Sequence, residues 1–312
     1  MSVLQDSTVY VAGRSGLVGS AVWRRCLQLD RVKPVGHTSA EVDLRDRDAA
    51  FDAVTTAKPD ALVMAAARVG GIVANSTRPV DFLNDNLRIQ TNVFEAAHEA
   101  GVERFIFLGS SCIYPKFAEQ PIKESSLLTG PLEPTNEAYA IAKIAGITAV
   151  ASYRQQFGHQ WISAMPTNLY GPGDNFDLTS SHVLPAMIRK FHEATLLGEP
   201  VTLWGSGTPR REFLHADDAA SAILFLLENY DDASTINVGC GEDVEIRELA
   251  ETVAEVVGFE GEIMWDTSKP DGTPRKLLDM SRLGALGWEP KIGLREGITS
   301  TYNWYLENVV SA

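Results

Sequence analysis

A short apolar run at residues 8–13 leads into Gly13-Arg14-Ser15-Gly16-Leu17-Val18-Gly19, and a helix-period segment at 17–29 starts inside that loop. Glycines at this spacing make a tight strand-to-helix turn, let the backbone approach a bound pyrophosphate, and allow close packing of helix on strand. The same rhythm continues along the chain. Apolar runs at 33–38, 60–67, 104–110 and 161–169 alternate with helical segments at 48–58, 81–100 and 136–157. Alternation of this kind requires parallel strands joined by helical crossovers, so the expected fold class is α/β with a doubly wound parallel sheet.

After Tyr170-Gly171-Pro172-Gly173 the rhythm becomes irregular. Helices are expected at 181–194, 217–228, 246–257 and 294–307, with a short strand at 201–204 and a loop at Gly205-Ser206-Gly207-Thr208-Pro209. This region reads as a smaller C-terminal α/β domain interleaved with a return to the main sheet. The expected division is 1–172 plus a return segment near 212–240 for a cofactor, and 173–211 plus 241–312 for a substrate.

The 312 residues carry 27 Lys and Arg against 41 Asp and Glu, a formal charge of −14. So acidic a chain argues against nucleic acid and anionic membranes as main partners, and any anionic ligand needs a local basic pocket. Cys26, Cys112 and Cys240 are widely spaced and show no metal-ligand or Cys-x-x-Cys pattern, which points to a reducing compartment and no metal. With no basic, apolar leader at the N-terminus and no long apolar run, the expected location is cytoplasmic.

The glycine loop is the dinucleotide site. A carboxylate at the tip of the second strand would hold a ribose 2′-hydroxyl and repel a 2′-phosphate; His37-Thr38-Ser39 has none. Together with Arg14 in the loop, that favours NADP(H) over NAD, the alternative being an arginine that faces solvent. Asp43 is read either as a contact for the adenine amino group or as a helix-entry residue.

Carbonyl chemistry is written into Ser110-Ser111-Cys112 and Tyr139-Ala140-Ile141-Ala142-Lys143. Tyr139 and Lys143, four apart on a helix, share a face, and the ammonium is expected to lower the phenol pKa from about 10. Cys112 is the unexpected member, because plain carbonyl reduction needs no thiol.

These features, with the Ala65-Ala66-Ala67 strand end, Arg211-Glu212-Phe213 and the Asp217-Asp218 turn, resemble the extended short-chain dehydrogenase/reductases over essentially the whole chain. Within that family the chain looks most like the NADP-dependent epimerase/reductases of GDP-4-keto-6-deoxymannose. The match is carried by Gly109-Ser110-Ser111-Cys112-Ile113-Tyr114-Pro115-Lys116 and by residues 69–75, 133–137, 165–172, 204–209 and 269–276, in the same order. The resemblance implies a Rossmann-type cofactor domain with contacts from Gly13, Arg14, Ser15, Gly16, Leu17, Val18 and Gly19. It adds Thr38, Ser39, Asp43, Leu44, Ala65 and Ala66 on the adenosine side. Toward the nicotinamide it adds Leu108, Gly109, Tyr139, Lys143, Pro166, Thr167, Asn168, Leu169 and His182. Lys190, Arg211 and Lys276 match phosphate contacts, Trp204 a base-stacking or packing position, and Asp271 a ribose-hydroxyl contact. It also implies a homodimer through the helices at 81–100 and 136–157.

The chemistry of such a reaction suits the residues. A ketone at carbon 4 acidifies the protons on carbons 3 and 5, so inversion needs a base on one face, an acid on the other, and a stabilised enolate oxygen between. Cys112 is read as the base and His182 as the acid, with Ser110 and Tyr139 on the oxygen; either of Cys112 and His182 can be base at a given carbon. Family dehydratases place an Asp-Glu pair where Ser111-Cys112 stand, which disfavours dehydration. A 4-epimerase would retain NAD, and a non-catalytic dinucleotide sensor would lose Tyr139 or Lys143. Both residues are present.

Overall fold

The computed structural model describes residues 4–269 and 271–311; residues 1–3, 270 and 312 lie outside the described residues, and with them the first residues of the N-terminal segment and Pro270 of the 269–276 block. The chain runs β1 (Thr8–Ala12), α1 (Leu17–Gln28), β2 (Lys33–Val35), α2 (Arg47–Ala57), β3 (Ala61–Met64), α3 (Ile72–Thr77), α4 (Pro79–Glu99), β4 (Arg104–Leu108), α5 (Glu137–Phe157), β5 (Gln160–Pro166) and β6 (Asn168–Tyr170). It continues through α6 (Val183–Leu197), β7 (Val201–Trp204), β8 (Arg210–His215), α7 (Ala216–Asn229), β9 (Ile236–Val238), β10 (Asp243–Glu245), α8 (Ile246–Val257), β11 (Ile263–Asp266), β12 (Arg275–Lys276), α9 (Ser281–Ala285) and α10 (Leu294–Tyr305).

Six parallel strands form the main sheet in the order β2-β1-β3-β4-β5-β9. β3 and β4 are buried throughout, as strands covered on both faces must be. On one face α1 and α7 enclose Val9, Val22, Ile106, Ile162 and Ile223; on the other α2, α4 and α5 enclose Leu62, Phe94, Phe105, Phe107 and Trp161. The strand order reverses between β1 and β3, which opens a crevice at their carboxyl ends. Gly13 turns there at φ +84, and a Cβ on it would lie 2.8 Å from the Ala66 backbone. A side chain at Gly19 would run into the Gly13 carbonyl, so α1 seats on the turn only with glycine there.

The first five strands of the main sheet are all shorter than their expected apolar runs, and two of them show where the chain leaves the sheet. The second ends at Val35, and at Gly36 (φ +156), the next residue, a Cβ would lie 2.5 Å from the Val11 carbonyl oxygen. The run at 161–169 divides into β5 and β6. Thr167 still donates its N–H to Val238 O of the main sheet (2.9 Å), whereas β6 leaves to pair with β8. β8 is the hub of a second, smaller sheet with β6, β10 and β12, and β7 pairs with β11 nearby. The helices α6, α8 and α10 close a third apolar cluster around Phe191, Leu203, Leu249 and Ile298. Glu212 joins the two sheets: fully buried, it accepts the N–H groups of Cys240 (2.7 Å), Gly241 (2.7 Å) and Leu278 (3.1 Å).

Candidate active site

At the end of β4 the Ser110 hydroxyl accepts the Cys112 N–H (3.2 Å) and caps a single 3₁₀ turn, Ser111–Ile113. That cap fixes the thiol two residues from the serine. The Ser110 side chain also stands near enough to the phenol of Tyr139 to influence its charge state. Lys143, one turn further along α5, is buried, donates to Leu108 O at 2.7 Å, and lies 4.9 Å from the Phe107 ring centre and 5.8 Å from that of Tyr139.

The charge states differ from the expectation of a lysine-activated phenol. Burial pushes the Lys143 amine down to about 7, while burial, followed by the nearby Cys112, pushes the Tyr139 phenol up and outweighs the influence of Ser110. Spacing brought the groups together, but the low-dielectric surroundings favour the neutral form of each.

Cys112 sits in a polar nest built from distant segments. Asn136 Nδ2 donates to its sulfur at 3.3 Å, and Lys276 Nζ lies 3.7 Å away. Lys276, read as a phosphate contact, thus directs its ammonium at the thiol. β12 carries it in register with Arg211 on β8, so two cations stand side by side, and Arg211 is close enough to feel Cys112, Asp271 and Glu133. Glu133 pairs with Lys116 at 3.0 Å at the rim. Asn136 belongs to a 3₁₀ turn, Pro134–Asn136, that packs on α3. α3 in turn is tied to the loop before α6, where the Gly71 N–H bonds Ser180 O (3.0 Å). That loop ends at His182, the N-cap of α6, whose ring makes no bond to the cap amides. Desolvation by the surrounding protein lowers its pKa, while the residue as a whole keeps solvent-exposed surface. The Val69-Gly70-Gly71-Ile72 segment therefore links the Cys112 side to the His182 side.

The glycine loop fits a dinucleotide. Its first and last glycines admit no side chain, Ala65 and Ala66 keep the facing strand end small, and Arg14 Nε is buried without a hydrogen-bond partner. Ser15, Leu17 and Val18 complete the turn into α1, and the Ser20 N–H bonds Gly16 O. Leu108 and Gly109 close β4, where a side chain at Gly109 would strike Met165. Pro166, Thr167, Asn168 and Leu169 form the β5–β6 junction, with Thr167 Oγ1 (3.3 Å) and Asn168 Nδ2 (2.8 Å) both donating to Glu212 O.

The adenosine end requires a correction. The strand tip has no acid in sequence, yet Glu41 folds back onto it and accepts from Thr38 N (2.7 Å), Thr38 Oγ1 (3.0 Å) and Arg14 Nη2 (3.1 Å). Ser39 stands exposed beside this turn. Asp43 is engaged by Arg45 in a fork at 2.8–3.2 Å, and Leu44 O accepts from Asn92.

On the second lobe, Trp204 exposes 53% of its surface, with the Lys269 ammonium 5.5 Å from its ring centre. Lys190 Nζ donates to Thr202 O (3.1 Å), and partial burial lowers its pKa. Asp271 is occupied in holding the Gly205 loop through Ser206 N (2.7 Å) and Ser206 Oγ (2.9 Å). Sequence reasoning assigned no role to Asn136, Glu41 or Glu212; Asn136 and Glu212 lay inside segments that carry the family resemblance, which was the available signal.

The family model for the NAD dependent epimerase/dehydratase family matches residues 9–239. The chain is 56% identical to GDP-L-fucose synthase 1 of Arabidopsis thaliana, over 98% of this chain and 95% of that protein, and 53% identical to GDP-L-fucose synthase of Escherichia coli K12, over 98% of each. The chain belongs to the GDP-L-fucose synthases of this epimerase/dehydratase family. A GDP-L-fucose synthetase of Naegleria fowleri, solved bound to NADP, superposes with a TM-score of 0.91 at 30% identity, covering 100% of this chain and 98% of that one. Among the described residues no cluster of three or more metal-binding side chains occurs, and no helix is long and apolar enough to cross a membrane.

Proposed function

We propose that the chain converts GDP-4-keto-6-deoxy-D-mannose to GDP-L-fucose, inverting carbons 3 and 5 and then reducing the ketone at carbon 4. The observation that carries this reading is the 3₁₀ turn at 111–113, which presents the Cys112 thiol beside the Ser110–Tyr139 pair. Ser110 and Tyr139 bind the carbon-4 oxygen and stabilise the enolate formed at each inversion. Cys112, with Asn136 and Lys276 donating to its sulfur, takes a proton from the ring carbon. His182 faces the opposite side of the sugar and returns a proton there. Bound NADPH supplies hydride to carbon 4. Tyr139 then protonates the carbon-4 oxygen, and Lys143 replenishes the phenol proton, a role suited to an amine near 7.

Arg211 and Lys190 neutralise the diphosphate, and the open face of Trp204 receives the base. The proposal keeps the division into a cofactor lobe, 1–172 with 212–240, and a substrate lobe, 173–211 with 241–312. It includes a cytoplasmic location and a homodimer through α4 and α5, which carry exposed apolar side chains at Val80 and Ile141. The reading is tested by incubating Cys112→Ser with the keto-sugar and NADPH. Reduction to an unepimerised 6-deoxyhexose is the expected outcome; normal GDP-L-fucose from that variant would sink the division of labour.

A further inference from the structure

Glu41 lies six residues beyond the second strand and is bound by groups that also suit a phosphate. One oxygen, Oε2, collects the Thr38 N–H, the Thr38 hydroxyl and the Arg14 guanidinium. These are the donors that stand at the tip of β2 beside the glycine loop, where the fold brings the adenosine ribose. The Thr38 N–H bond, followed by Arg14, holds the Glu41 carboxyl down to about 2, so it is an anion at any working pH. Arg14 is otherwise held by contact with the Trp23 ring, 5.2 Å from its guanidinium carbon, and makes no second ion pair among the described residues.

A plain turn brace accounts for only part of this arrangement. The two bonds to Thr38 brace a Thr-x-x-Glu turn in which the carboxylate takes the Thr38 N–H as in half of a capping box. The third, to Arg14, crosses from one loop to another and neutralises the basic side chain nearest the ribose. A 2′-phosphate can reach Arg14 and Thr38 only by displacing this carboxylate or by lying against it. A 2′-hydroxyl, by contrast, can donate to it.

Building on the dinucleotide reading above, we propose that Glu41 is a resident anion in the 2′-phosphate receptor and sets how strongly the site prefers NADPH over NADH. It draws the two cofactors closer in affinity than Arg14 alone would allow. The pair is half exposed, with side-chain accessibilities of 30% and 52%, so the effect is that of a surface charge: several-fold, and larger at low salt.

The test is equilibrium binding of NADPH, NADH and adenosine 2′-monophosphate to the full chain, followed by nicotinamide or tryptophan fluorescence without the sugar substrate. Glu41→Gln keeps an oxygen for the Thr38 N–H and removes the charge. It should tighten NADPH and adenosine 2′-monophosphate about fivefold relative to NADH at low salt, and the change should shrink at 0.5 M salt. Arg14→Gln should erase the preference in either background. An unchanged NADPH-to-NADH ratio in Glu41→Gln overturns the inference. Selective weakening of NADPH also overturns it, because Glu41 would then aim Arg14 rather than compete for it. If wild-type protein binds neither dinucleotide, it is the cofactor reading itself that fails.

Discussion

Replacing Lys143 by methionine removes a charge that the fold holds in a nearly dry place. The amine moves from an ordinary 10.5 to about 7, and burial is the cause. The folded value lies below the unfolded one, so between about pH 7 and 10.5 the unfolded chain binds more protons and stability rises with pH. Below pH 7 the penalty is present in full, and the gap between the two values sets it at no more than ~5 kcal/mol. Methionine gives back part of that gain, because the Leu108 carbonyl, now served at 2.7 Å, loses its donor at a cost of roughly 1–3 kcal/mol. Lys143→Met should therefore be more stable than wild type by about 2–4 kcal/mol near pH 6. The advantage should shrink by ~1.4 kcal/mol per pH unit above 7 and vanish near pH 9. Urea unfolding of both proteins without cofactor at about pH 6, 7.5 and 9 measures this, and the variant should fail in ketone reduction. A variant less stable than wild type at pH 6, or a difference that ignores pH, would refute the reasoning.

Other consequences follow from the same geometry. Asp174 has one buried carboxyl oxygen without a hydrogen-bond partner, and burial raises its pKa to about 7. Its folded value exceeds its unfolded one, so stability from this group is lost as pH climbs from about 4 through 7. Asp174→Asn should add roughly 1–3 kcal/mol at pH 8 and nothing at pH 4, read by thermal or urea unfolding. Lys276→Met should change the rate at which iodoacetamide alkylates Cys112 at pH 7, because it removes the ammonium that stands 3.7 Å from the sulfur and orients it. Cys26 and Cys240, whose thiols burial pushes up to about 11, should stay unlabelled, and mass spectrometry localises the adduct. An unchanged labelling rate would separate Lys276 from the sulfur chemistry.

The main sheet was readable because its signals are local: apolar runs, helical periods and glycines whose spacing matches one turn. The smaller sheet was not, since β10 and β12 have three and two residues and gain meaning only from pairing with β8. The same distinction governs the site. Tyr139 and Lys143 are one helical turn apart, so their proximity is local, whereas their charge states depend on how β4 and α5 bury them. Cys112 and Lys276 are 164 residues apart, and no spacing rule joins them. Glu41 was missed for a subtler reason: the acid is absent from the strand tip in sequence and supplied to it by a turn.

Solvent isotope incorporation tests the central claim most directly, that one ketone held by Ser110 and Tyr139 serves both inversion and reduction. Wild-type enzyme given the keto-sugar and NADPH in deuterium oxide should yield product carrying deuterium at carbons 3 and 5 and none at carbon 4. A product with hydrogen retained at carbons 3 and 5, or with solvent deuterium at carbon 4, would contradict it.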